Sequence, residues 1–200
     1  MAGVDAENAS ESQSTSALVL VRHGATEWSL NGRHTGRTDL PLTDAGRAEA
    51  VALQDRLTAW TFALALVSPL QRARETARLA GFGDRAVVDD DLREWEYGDY
   101  EGITTAQIRE TRPGWTVWNG ACPNGESADA VGVRADRVIA RAGAAGGDVV
   151  LFSHGHFLRV LTARWLELDA VQGSRFIIRT ATLSVLGYER ETRVIDRWNV

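Results

Sequence analysis

A single cysteine, Cys122, excludes an intrachain disulfide and points to a reducing compartment. No apolar run approaches the roughly 20 residues that a membrane-spanning helix needs, so no membrane partner is expected. A basic excess is also missing. The net charge of -5 argues against general nucleic-acid binding and leaves room only for a local basic pocket. Residues 1–16, MAGVDAENASESQSTS, lack the basic and apolar regions of a secretory signal. They read as a disordered leader ahead of one domain over 17–200, and the cytoplasm is the default location. There is no P-loop and no carboxylate cluster of the kind that holds magnesium, so neither a nucleotide nor a metal ion is expected as cofactor.

What is present is a regular alternation of elements. Short apolar runs at 17–21 (ALVLV), 62–67 (FALALV), 86–88 and 148–152 (DVVLF) predict buried strands. Helical spacing of Ala48, Val51, Ala52 and Leu57 predicts a helix over 43–60 with Thr43 as its cap. A second helix is expected from Ser68-Pro69 to Gly81, with Ser68 capping and Pro69 in the first position. Further helices are expected over 127–141 and 157–168, and a terminal hairpin from 180–189 and 193–200. The stretch 89–125 is polar and aromatic and carries no clear period. The class is α/β, a sandwich around a mostly parallel central sheet. Ligands of such sheets bind beyond the carboxyl ends of the strands, where "RHG", "SPLQR" and "SHGH" all fall.

The chain has four histidines, and all lie at or near those corners: His23, His34, His154 and His156. One histidine is most simply a satisfied structural side chain, but four at one crevice point to chemistry. Arg72 and Arg74 lie early in a helix, where cations oppose the helix dipole unless an anion binds there. Arg22 adds a second guanidinium fork suited to phosphate oxygens, whereas Arg74 and Arg78 read as solvated. In "DDDLREWEYGDYEG" (89–102) a carboxyl among Trp95, Tyr97 and Tyr100 is a candidate proton donor, since apolar packing destabilises its ionised form. Together these types suggest phosphoryl transfer without a metal, with a neutral imidazole as nucleophile.

The segments "LVRHGATEW", "HTGRTDLPLTDAG", "SPLQRARETA", "LREWEYGDYEG" and "FSHGHFLR" occur in the order seen in the histidine phosphatase superfamily, which includes the cofactor-dependent phosphoglycerate mutases. The resemblance runs from residue 17 to the end. It implies a three-layer α/β/α sandwich and a phosphatase acting through a phosphohistidine. It further implies that His23 takes the phosphoryl group, that Arg22, Arg72 and His154 complete the phosphate pocket, and that Glu94 serves as proton donor and then base. Thr35 and Gly36 match a loop flanking the substrate. Ser29, His34, Gly155 and His156 are added here as substrate-binding candidates, His156 as a cationic donor for a second phosphate or a sugar hydroxyl.

Three alternatives compete. A mutase is less well supported, because Glu94 and His154 are only sixty residues apart and Arg109, Arg112, Arg134, Arg137 and Arg141 between them form no adjacent pair. Ser29 also stands where many of the mutases carry Asn. His154-x-His156 has the spacing of a metal-ligand pair but no assured third ligand. A non-catalytic phosphate-binding module would keep the pocket and lose part of the chemistry. The motifs look most similar to sedoheptulose bisphosphatases and actinobacterial acid phosphatases, so the expected partner is a phosphorylated small molecule, a sugar phosphate or bisphosphate. A homodimer is compatible with the chain.

Overall fold

Residues 16–200 are described by a computed structural model. The expected leader, apart from Ser16, lies outside the described residues. The elements in chain order are β1 (Leu18–Arg22), α1 (Glu27–Asn31), α2 (Asp44–Leu57), β2 (Leu64–Val67), α3 (Gln71–Ala77), β3 (Val87–Val88), α4 (Thr105–Thr111), α5 (Ala128–Gly143), β4 (Val149–Ser153), α6 (Gly155–Trp165), β5 (Leu183–Glu189) and β6 (Thr192–Arg197). They form one six-stranded sheet in the order β3-β2-β4-β1-β5-β6. Strands β3, β2, β4 and β1 run parallel, and β5 and β6 add an antiparallel edge.

Alternation along the strands sorts the core into two layers, as a sheet covered on both faces requires. Leu18 and Leu20 of β1 and Val149 and Leu151 of β4 face one side, packing with Val138 of α5 and Leu158 and Leu161 of α6. Val19, Val21, Val150 and Phe152 face the other, against Leu53 and Leu57 of α2 and Ala73 and Ala77 of α3. Each large side chain buried in this way contributes about 1.5–3 kcal/mol. The fold is therefore the α/β/α sandwich expected, with no helix among the described residues long and apolar enough to cross a membrane.

Two boundaries differ for physical reasons. Ser68 does not cap α3. Its hydroxyl is held by His154, so the helix starts at Gln71, whose N–H donates to the Asp39 carboxylate at 2.7 Å. Helix α4 was not apparent in the sequence because Ile108 is its only buried residue, although Thr104 and Gln107 form a capping box at its start.

Candidate active site

The parallel pairing of β1 with β4 sets the site's geometry. Arg22 sits opposite Ser153 in register, and the next N–H, that of His23, donates to the Ser153 carbonyl at 3.0 Å. His23 and His154 therefore leave the sheet side by side, their rings 5.2 Å apart and tilted by 59°. Gly24, directly after His23, abuts another backbone: a Cβ there would stand 2.3 Å from the Gly46 carbonyl oxygen in α2. The glycine thus serves close strand-to-helix packing.

His23 is buried, and its Nδ1 bonds the Gly24 carbonyl oxygen at 2.7 Å. A carbonyl only accepts, so Nδ1 carries the proton and Nε2 keeps its lone pair. Burial, then the neighbouring Arg72 and Arg22, push the His23 pKa well below its ordinary value, so the ring is neutral at neutral pH.

Arg72 is fully buried, and its Nε donates to His154 Nδ1 at 3.2 Å. Since Nδ1 accepts, His154 carries its proton on Nε2 and donates it to Ser68 Oγ at 2.7 Å. The rest of the Arg72 fork donates to the carbonyls of Thr38, Thr35 and Gly36 at 2.9, 3.1 and 3.1 Å. Four of its five N–H groups are thereby committed, leaving one on Nη1. Arg22 is anchored in the same manner, donating to the Ile178 carbonyl at 2.7 Å, while its buried Nε has no partner. Carbonyls orient both guanidiniums without neutralising them. An arginine paired to a carboxylate would have lost most of its pull on an anion.

Glu94 is buried beside this pair. One carboxylate oxygen accepts the N–H of Trp95 and of Phe157, at 2.8 and 2.9 Å, and the other accepts that of His156 at 3.0 Å. Two of these donors belong to the first turn of α6, a favourable seat for a carboxylate. The loop carrying Glu94 is pinned from behind. Ser153 Oγ donates to the Leu92 carbonyl, and Arg134 bridges the carbonyls of Asp91 and Arg93 to the Glu126 carboxylate.

A cavity of about 480 Å³ opens onto Arg22, His23, Ser29, His34, Thr35, Glu94, Gly155 and His156. Eight of the eleven expected residues thus meet at one opening, with Gly36, Arg72 and His154 forming the layer behind it. Ser29 belongs to the cavity wall, but its hydroxyl is engaged in the α1 cap, accepting the Thr26 N–H and donating to the Thr26 carbonyl. His156 differs from the expected cation. Burial, followed by Arg159 and His34, pushes its pKa well down, and its Nδ1 shares a 2.6 Å hydrogen bond with the Tyr97 hydroxyl. His34 is likewise shifted down by burial, bonds Thr105 Oγ1 at 3.2 Å, and meets Tyr97 at a tilt and Trp115 edge-on. Both rings are neutral wall residues.

No group of three or more His, Cys, Asp or Glu side chains among the described residues is arranged to hold a metal ion. His154 and His156 have diverged to Ser68 and Arg72 in one case and Tyr97 in the other. The supporting roles of Ser68, Glu101 and Arg134 were not legible in the sequence, since each acts through a partner distant in the chain.

The family model for the histidine phosphatase superfamily (branch 1) matches residues 18–200. The chain belongs to that superfamily. It is similar to an acid phosphatase of Mycobacterium tuberculosis, 44% identical over 180 residues that cover 88% of each chain. It is also similar to sedoheptulose 1,7-bisphosphatase of Saccharomyces cerevisiae, 38% identical over 77% of this chain and 69% of the relative. A solved structure of an open-reading-frame product from Mycobacterium tuberculosis superposes with a TM-score of 0.88 at 42% identity, covering 92% of this chain and 97% of the other. The histidine phosphatase fold and this company of phosphatases make the protein a phosphoric monoester hydrolase.

Proposed function

We propose that the protein hydrolyses sugar phosphates, and sugar bisphosphates in particular, by transferring the phosphoryl group to His23 Nε2. The observation that carries this is the state of His23: its proton is fixed on Nδ1 by Gly24, and Nε2 is the free nitrogen in a wall that also holds the Arg22 guanidinium. The lone pair of Nε2 attacks phosphorus as the ester P–O bond breaks. In the protonated form that the transfer requires, Glu94 gives its proton to the departing oxygen, because a sugar alkoxide is too basic to leave unaided, and the amides of Trp95, His156 and Phe157 receive the carboxylate left behind. Glu94, now a carboxylate, takes a proton from water while the water oxygen attacks phosphorus. The P–N bond breaks and its electron pair returns to Nε2. Arg22 faces the charge that builds on the equatorial oxygens, and Arg72 acts on it from the layer behind the opening. His154 aligns Arg72 through its Nε.

The rest of the cavity supports a sugar with a second anion. Arg33, Arg109 and Arg159 line it and form no ion pair among the described residues, and Arg33 and Arg159 lie over the rings of Trp28 and Trp118, which line it as well. The likeness to an acid phosphatase and to a bisphosphatase points the same way. Phosphate release measured across sugar mono- and bisphosphates, with 3-phosphoglycerate mutase activity assayed alongside, is the test. Bisphosphates should give the highest kcat/KM. Mutase activity exceeding hydrolysis would overturn the reading.

A further inference from the structure

Arg72 owes its position to a short piece of backbone. Its three carbonyl acceptors, on Thr35, Gly36 and Thr38, all belong to the 35–38 strap, which contains no regular secondary structure. Nothing in a loop of that kind fixes three carbonyls on one guanidinium unless its amides are held as well. They are held by one side chain. The carboxylate of Glu101 accepts the Gly36 N–H with both oxygens, each at 2.9 Å, and the Thr38 N–H with one at 3.0 Å. Amides on one side and carbonyls on the other leave the strap clamped between Glu101 and Arg72.

We propose that Glu101 is a positioning residue for phosphoryl transfer, acting on Arg72 through the 35–38 strap. It touches no reacting atom. The arrangement solves a specific electrostatic problem. A carboxylate bonded directly to Arg72 would orient it equally well, but it would also cancel the charge needed by the anionic phosphoryl group. Interposing four residues of backbone transmits the orientation and keeps the anion at a distance. Glu101 thereby adds order to the site with little of the neutralisation that a direct pair would bring. The inference rests on the reading of Arg72 as a phosphoryl-binding group, and the experiment below separates the two.

Orthovanadate, which adopts the trigonal-bipyramidal shape of the transferring group, and inorganic phosphate, which resembles the ground state, are compared as inhibitors of p-nitrophenyl phosphate hydrolysis by the full-length chain. A misplaced Arg72 harms the transition-state mimic more than the ground-state one. Glu101→Ala should weaken vanadate inhibition by about 10-fold or more relative to phosphate, with kcat falling more than KM rises. Glu101→Gln keeps one oxygen for two amides but turns an NH2 toward the Gly36 N–H, so its loss should be smaller and in the same direction. It serves as the test if the alanine variant fails to fold. Val138→Ala, a core truncation in α5, should lower the melting temperature and leave the vanadate-to-phosphate ratio unchanged. A wild-type ratio in folded Glu101 variants, with Arg72→Ala losing vanadate inhibition, overturns the role of Glu101 alone. A wild-type ratio in Arg72→Ala as well overturns the reading of the phosphate pocket.

Discussion

His23 and His154 follow directly from paired residues of two neighbouring parallel strands, and their rings stand 5.2 Å apart with opposite proton arrangements. His23 is protonated on Nδ1 by virtue of the Gly24 carbonyl, whereas His154 is protonated on Nε2 by virtue of Arg72. Two chemically identical side chains at equivalent strand ends thus receive different tasks. One presents a lone pair, and the other locks an arginine.

Replacing the proposed nucleophile should remove turnover. His23→Ala is expected to lower kcat by about 10⁴-fold or more, in the range seen when a catalytic nucleophile is deleted. An acid-labile phosphoenzyme, trapped by rapid quench in the wild type, should be missing from the variant. Retention of the labelled species in His23→Ala would rule out this residue as its site.

Glu94→Gln separates proton donation from general disruption. The amide cannot protonate a leaving group, so hydrolysis of a sugar phosphate should slow by about 10²–10⁴-fold. Formation of the phosphoenzyme from p-nitrophenyl phosphate, whose leaving group needs little help, should slow much less. Equal losses in the two pre-steady-state bursts would argue against an acid role.

Stability should decline on mild acidification. His23, His154 and His156 have pKa values pushed well down, in each case chiefly by burial. Their folded forms therefore bind fewer protons than the unfolded chain below about pH 6.5. The stability tied to their neutral state is complete above that pH and is lost as the pH falls through it toward the folded pKa values. The slope is up to about 1.4 kcal/mol per pH unit for each imidazole. Urea midpoints recorded from pH 7 to pH 5 should fall steadily, above the range where most carboxylates titrate. A flat profile would count against buried neutral rings.

Gly24→Ala tests the strand-to-helix contact. The added methyl would stand 2.3 Å from the Gly46 carbonyl oxygen, so backbone must move. A loss of about 1–3 kcal/mol is expected, as for other overpacked interiors. The denaturant midpoint reads it, and an unchanged midpoint would mean that α2 yields freely.

The sheet was legible in the sequence because its strands are short apolar runs followed by polar corners, and those corners carry the site. Arg22, His23, Glu94 and His156 could be placed at one cavity from their strand ends and motifs alone. Ser68 was misread, since a Ser-Pro pair carries a strong local capping signal, and a hydrogen bond to His154, eighty-six residues away, overrides it. Glu101 was hidden among the six other acids of the 89–102 run because its role depends on two amides more than sixty residues earlier in the chain. The charge state of His156 also escaped, as it is set by the surrounding packing and Arg159. Local pattern reports on local structure, whereas these three features are tertiary.

The contact between Gly24 and Gly46 also divides the protein by its freedom to vary. A side chain at either glycine collides with backbone, at 2.3 Å in one case and 2.1 Å in the other, so any replacement at the floor beneath His23 must displace main chain. The cavity is also lined by side chains such as Trp28, Arg109, Trp118 and Arg159, none of which supplies the atoms that press on those two glycines. Selectivity for the alcohol that leaves can therefore be rewritten one wall residue at a time, around a chemistry that is held fixed.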